Sequence, residues 1–124
     1  MIARRPFLLG TAAVMLSGMR AGERDMFGLI GKMTAKPGQR DRLIALVLEG
    51  ADAMPGCLSY IVARDADDAN GIWITEVWDS KESHAASLKL PAVTAAIGKA
   101  MPLVDLAAEG VRQATVPVGG VGIG

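Results

Sequence analysis

Glu76 and Trp78 stand two residues apart in the stretch GIWITEVW, residues 71–78. In an extended strand that spacing puts both side chains on one face, and a carboxylate beside an indole makes a half-polar pocket wall. Such a carboxylate can hydrogen-bond a ligand hydroxyl or help remove its proton. The competing reading is structural, with Glu76 paired to an arginine such as Arg64 or Arg112 and Trp78 anchoring the core between sheet and helix. His84 is the only histidine of the chain. Its imidazole alone has an unperturbed pKa near neutrality, so it is the leading proton-transfer candidate, against a packing or surface role. Ser87 and Leu88, three and four residues on, share neighbouring parts of the same helical surface. Tyr60 offers a hydroxyl to such a pocket or, equally, an apolar body to the core or to a subunit interface.

Other chemistry is excluded. A single cysteine, Cys57, and a single histidine provide neither an internal disulfide nor a Cys/His zinc cluster. Cys57 follows a Pro-Gly turn with no basic neighbour and reads as a small buried hydrophobe. No glycine-rich phosphate motif sits at a strand-to-helix turn, so a nucleotide cofactor is not indicated. Thirteen basic and thirteen acidic residues balance, which argues against nucleic acid as a partner. Aromatics are 4% of the chain, so Met33, Met54 and Met101 read as gap fillers of an aromatic-poor core rather than as pocket lining.

These residues need elements to position them, and 124 residues suffice for one core. FGLIGKMT, residues 27–34, reads as a first strand. Pro37 is placed to open a helix in which Leu43, Val47, Ala51 and Met54 recur on one face, and Pro55-Gly56 ends it. CLSYIVAR and GIWITEVW, residues 57–64 and 71–78, form a hairpin across a turn-rich loop. Asp79 and Glu82 have capping-box spacing, with Ser80 an alternative cap, for a helix reaching about Lys89. Pro91 opens another and Pro102 closes it. A weaker strand over about 107–116 precedes a glycine-rich tail, residues 117–124. This order is the ferredoxin-like βαββαβ plan, an α+β fold with an antiparallel sheet and its helices on one face. Leu58, Tyr60 and Val62 alternate with Cys57, Ser59 and Ile61, and Ile72, Ile74 and Trp78 with Trp73 and Val77, so both faces of the sheet carry apolar groups. Helices cover one face only; a second copy of the chain is the simplest cover for the other, which predicts a homodimer.

Residues 1–25 differ in kind. Arg4-Arg5 precedes Pro6-Phe7-Leu8-Leu9 and a small, apolar run from Gly10 to Met19. The run is far shorter than the roughly 20 residues of a membrane-spanning helix, so a permanent anchor is not expected. The order resembles a twin-arginine export leader, with cleavage best placed at Ala21, and predicts a periplasmic protein; the alternative is a cytoplasmic one starting at Met26. Without the leader, nine basic and eleven acidic residues remain, a mildly acidic body.

FGLIGKMTAKPGQRDRLI, MPGCLSYIVARD, WITEVWDSKESHAASLKLPAV and the terminal PVGG together resemble the antibiotic biosynthesis monooxygenase family, including its quinol monooxygenase-like members. The resemblance spans nearly all of residues 26–124 and is most specific from Trp73 to Pro91. It implies a dimeric α+β barrel. It also implies a small monooxygenase acting on a quinol, phenol or polyketide-like aromatic, with O2 as co-substrate and neither metal nor flavin. Many members of the family place histidines where this chain has Ser87 and Ala92, so His84 belongs to a variant pattern. The tryptophan and histidine of the haem-degrading members are replaced by Ser87 and Ile97, which disfavours haem breakdown. Two further readings suit the same pocket: a non-catalytic module holding a small hydrophobic ligand, associated with stress, and a cofactor-free isomerase.

Overall fold

The computed structural model describes residues 25–124. The leader read in residues 1–25 therefore lies outside the described residues, save for Asp25. The elements follow in the order β1 (Phe27–Thr34), α1 (Arg40–Gly50), β2 (Cys57–Arg64), β3 (Gly71–Trp78), α2 (Lys81–Ser87), α3 (Pro91–Ala100), a 3-10 turn (Met101–Leu103) and β4 (Val111–Thr115). The strands form one antiparallel sheet in the order β2-β3-β1-β4. This is the ferredoxin-like arrangement expected from the alternation of strand and helix signals.

The core lies between the sheet and its helices. Ile72 and Ile74 of β3 meet Leu43 of α1, Ala100 of α3 and Ala35, and Leu43, Ile72 and Trp78 are all but sealed from solvent. Alternation along β3 explains the choice, because Ile72, Ile74, Glu76 and Trp78 share the helix side while Trp73, Thr75 and Val77 face away. The opposite face is open: Ile61 is 58% and Val111 44% exposed.

β2 departs from simple alternation. A bulge between Cys57 and Ser59 sets Cys57 opposite Trp78 and Ser59 opposite Val77. The extra residue is Leu58, which leaves the face shared by Tyr60 and Val62 and is exposed. Beyond the bulge the register holds, with Tyr60 opposite Glu76 and Val62 opposite Ile74.

The helices are shorter than their apolar spacing predicts. Pro37 and Gly38 form a turn, with Gly38 at φ +79°, so α1 starts at Arg40. Its end comes at Gly50, where the Ala51 N–H bonds back to the Leu48 carbonyl at 3.2 Å. Gly50 is required there, since a Cβ on it would lie 2.6 Å from the Cβ of Ala96, and its absence lets α1 and α3 touch. α2 is capped by Ser80, not Asp79: the Ser80 hydroxyl accepts the Ser83 N–H at 3.1 Å. Asp79 instead donates its backbone N–H to the Gly56 carbonyl at 2.8 Å. Gly56, at φ +87°, abuts Ser83 so closely that any side chain would collide. The end of α2 tightens into three-residue turns from Leu88 to Leu90, two residues before the expected limit. β4 is likewise shorter than expected, because Val104 bridges to Ala35 and the Asp105 carboxylate accepts the Ala107 N–H, which holds this stretch as a loop.

The β2–β3 loop is tied by charge. The Asp65 carboxylate accepts the Trp73 indole N–H at 2.6 Å and the N–H groups of Asp67 and Asp68, each at 2.8 Å. The Lys32 ammonium lies 3.6 Å from Asp65 and 3.3 Å from Asp68, over the ring of Trp73. The Trp73 bond first, then the two backbone bonds, hold the Asp65 carboxyl well below the usual carboxylate range. Arg40 donates to the Asp68 carbonyl at 2.8 Å, joining the start of α1 to the loop.

Candidate active site

Between the sheet and the three helices lies a cavity of about 300 Å³. Its floor is the helix-side face of β1, β2 and β3, from Leu29, Tyr60, Ile74, Glu76 and Trp78; its roof is α1, α2 and α3. Three lining side chains, Leu88, Ile97 and Met101, are also about half exposed, which marks the mouth at the helix side. The volume falls at the lower end of the range for small-molecule sites, and the mostly apolar lining with a few convergent polar groups is the usual composition of such sites.

Apart from Arg112, those polar groups are the site candidates the sequence singles out. Glu76 and Trp78 share a face, and the Trp78 indole N–H donates to Glu76 Oε1 at 2.9 Å. The His84 ring packs edge-on to Trp78 at 5.4 Å and against Phe27 at 5.1 Å, which fixes its orientation. Its Nε2 lies 3.9 Å from the same Glu76 Oε1. That separation exceeds a hydrogen bond, so the two interact through charge when the imidazole is protonated. Both side chains are largely withdrawn from water, at 12% and 14% exposure, which weakens screening of that charge. Glu76 Oε2 receives no donor from another described side chain and is the oxygen available to a ligand.

Tyr60, opposite Glu76 in register, also lines the cavity. Burial first, then the negative charge of Glu76, pushes its hydroxyl up to about 12. It therefore stays protonated at every physiological pH, able to donate a hydrogen bond but not to act as a base. Ser87 is buried but already committed, since its hydroxyl donates to the His84 carbonyl at 2.6 Å. It contributes wall and supports the backbone beneath the histidine. Leu88 lies at the rim.

The structure brings Tyr60, Glu76, Trp78, His84, Ser87 and Leu88 to one cavity. Glu76 does not take an arginine partner: Arg64 pairs with Asp41 at 3.5 Å on the surface. Cys57 is half-buried, its thiol donating weakly to the Ser59 carbonyl, and burial pushes its pKa up, which suits an unreactive thiol. Met33, Met54 and Met101 all line the cavity, contrary to the expectation that they only fill the core. The sequence reading also missed Phe27, whose signal was a strand-initial aromatic in an aromatic-poor chain, and the part played by Arg112, which reaches the cavity from β4. No group of three or more His, Cys, Asp or Glu gathers as a metal site among the described residues. No helix among them is long and apolar enough to cross a membrane.

Residues 26–99 match the family model described as antibiotic biosynthesis monooxygenase. The chain belongs to that family. A structure from Chloroflexus aurantiacus, named as a candidate antibiotic biosynthesis monooxygenase, is 63% identical over 80% of this chain and 99% of its own, with a TM-score of 0.73. One from Caulobacter crescentus, named likewise, is 19% identical over 78% of this chain and 93% of its own, with a TM-score of 0.69. A variant of SnoaB, a cofactor-independent oxygenase from Streptomyces nogalater, is 15% identical over 78% of this chain and 97% of its own, with a TM-score of 0.59. The last two likenesses are of fold alone. No functionally curated protein matches the chain. As a family member the chain has the monooxygenase-like α+β fold, and its cavity occupies the space that this fold encloses between sheet and helices.

Proposed function

We propose that the protein is a small monooxygenase that oxidises a phenol, quinol or polyketide-like aromatic with O2, the electrons coming from the substrate itself. The single observation that carries this reading is the Glu76–Trp78–His84 cluster at one wall of an otherwise apolar cavity that can hold a flat ring. The hydroxyl of the substrate first donates to Glu76 Oε2 and then turns to the adjacent His84 Nε2, so that its single proton has one acceptor at a time. Neutral His84 takes the phenolic proton, and the imidazolium is stabilised by the carboxylate 3.9 Å away. The resulting phenolate transfers one electron to O2, and the phenoxyl radical and superoxide combine at a ring carbon to form a C–O bond. His84 returns its proton to the peroxide. Cleavage of the O–O bond with loss of the proton on that carbon releases water and leaves a quinone, so one oxygen atom enters the product and the other leaves as water. Tyr60, protonated throughout, can donate to an oxygen of the substrate or peroxide, and the apolar walls keep bulk water from the charged intermediates.

The unpaired apolar sheet face supports a homodimer closed sheet to sheet. Ile61 and Val111 lie on it, exposed, and a twofold contact would bury both.

The test is oxygen uptake with hydroquinones and naphthols in chelator-treated buffer, repeated on Glu76→Gln and His84→Ala. A loss of roughly 100-fold in each variant is expected, the usual contribution of a positioned acid or base. Full activity in both variants would remove the proton-transfer assignment. Absence of uptake with every substrate, while a naphthol binds, would favour the hydrophobic-ligand module, and a rearranged product formed without oxygen consumption would favour the isomerase.

A further inference from the structure

The main cavity does not end at Glu76. A second lobe of about 230 Å³ continues from it over β1 towards the β4 edge, and Leu29, Met33, Ile74, Glu76 and Arg112 belong to the walls of both. The sheet register explains why there is room. Gly31 sits between Ile74 of β3 and Arg112 of β4, so all three positions share the helix side and the middle one has no side chain. The Arg112 side chain therefore has open space in front of it where any larger residue at 31 would stand.

Arg112 makes no ion pair with another described residue, in contrast to Lys32, Arg64, Lys99 and their carboxylate partners. Lys32, the other cation at this lobe, is held on the far face by Asp65 and Asp68. The site thus has an acceptor carboxylate at one end, Glu76, and an uncommitted guanidinium at the other. Standard strand spacing and rise put the two Cα atoms roughly 12 Å apart. An arginine side chain and a one- or two-ring aromatic together fill that separation.

We propose that Arg112 is a specificity-determining residue that binds a carboxylate carried by the substrate, so that the preferred substrates are aromatic acids with a phenolic hydroxyl at the end remote from the acid group. This rests on the proposed use of the Glu76 end for the hydroxyl, and it extends that reading to the substrate class. A guanidinium fits the purpose because it presents parallel N–H donors to both carboxylate oxygens and stays charged at all working pH values. The Glu76 charge, at the opposite end, rejects the reversed orientation.

The experiment compares 6-hydroxy-2-naphthoate with 2-naphthol, which lacks only the acid group. Binding to the full chain is measured by quenching of tryptophan fluorescence and by calorimetry, and oxygen uptake is followed separately. Wild-type protein should bind the acid at least tenfold more tightly than the neutral naphthol, with the advantage shrinking as salt is raised. Arg112→Gln should abolish the advantage and Arg112→Lys should restore part of it, the loss of affinity for the acid exceeding any loss for 2-naphthol in both variants. Because Arg112 lies exposed on an edge strand, the variants should keep the wild-type circular dichroism. Equal affinity for the two compounds in wild-type protein, or an equal loss for both in Arg112→Gln, would overturn the proposal while leaving the cavity reading intact. Failure of both compounds to bind would overturn the proposal and the cavity reading together.

Discussion

Tyr60 is the one tyrosine of the chain, so its ionisation can be followed by tyrosinate absorbance without ambiguity. The structure puts it on the cavity floor opposite Glu76 and pushes its hydroxyl from the ordinary 10 to about 12, by burial first and by the carboxylate charge second. In the unfolded chain the hydroxyl returns to about 10. Between those values the folded protein holds one proton more than the unfolded one, so stability falls as pH rises through that window and is unaffected below it. At about 1.4 kcal/mol for each pH unit, and with partial access of solvent allowed for, the loss is about 2 kcal/mol. The assay is a pH titration of absorbance, with circular dichroism in parallel to confirm the fold, on wild-type, Glu76→Gln and Tyr60→Phe proteins. The expected results are a wild-type midpoint near 12, a midpoint in Glu76→Gln that is lower but still above 10, and no alkaline loss of stability in Tyr60→Phe from this source. A wild-type midpoint near 10 in folded protein would show that the hydroxyl faces water. It would also remove Tyr60 as the internal proton donor of the cavity.

Asp65, held low by Trp73 and by its own loop, gives the opposite sign: its contribution is complete above the ordinary carboxylate pKa of 3.8 and is lost as pH falls below that towards the depressed folded value. Asp65→Asn should flatten the acid limb of a stability–pH curve, and an unchanged acid limb would contradict the network. Leu43, with no exposed surface, should cost about 2–5 kcal/mol when cut to alanine, read from the denaturant midpoint at fixed protein concentration. Ser80→Ala should cost about 1 kcal/mol through the lost cap of α2, whereas Asp79→Ala should leave that cap intact; equal losses would restore the capping box. Ile61→Glu places a charge in the middle of the proposed twofold interface and should convert a dimer to a monomer in sedimentation, and a wild-type monomer at micromolar concentration would dismiss that interface. We also propose that residues 1–25 direct export through a twin-arginine route. Mass spectrometry of the mature N-terminus should find the chain trimmed near Ala21, and a cytoplasmic chain beginning at Met26 would reject it.

Much of the site was legible before any coordinates, because a strand's two-residue period and a helix's near four-residue period are local. They put Glu76 beside Trp78, and His84 near Ser87 and Leu88, and the order of strand and helix signals led to the ferredoxin-like sheet. Local periods do not say where an element stops or which long-range partner a side chain takes. The end of α1 depends on Gly50 touching Ala96, and the cap of α2 on Ser80 being free while Asp79 bonds to the Gly56 turn. The bulge that turns Leu58 outwards is a property of the β2–β3 pair and of neither strand alone.

The sequence by itself determined the order of the elements, the oily character of the sheet on both sides, and the residue types able to move a proton. Tertiary packing decided that Glu76 bonds to an indole and faces an imidazole rather than an arginine, that three methionines line a cavity, and that Arg112 stands uncommitted across a glycine gap. These are matters of angstroms between residues far apart in the chain, set only when the sheet register and the helix contacts are both in place.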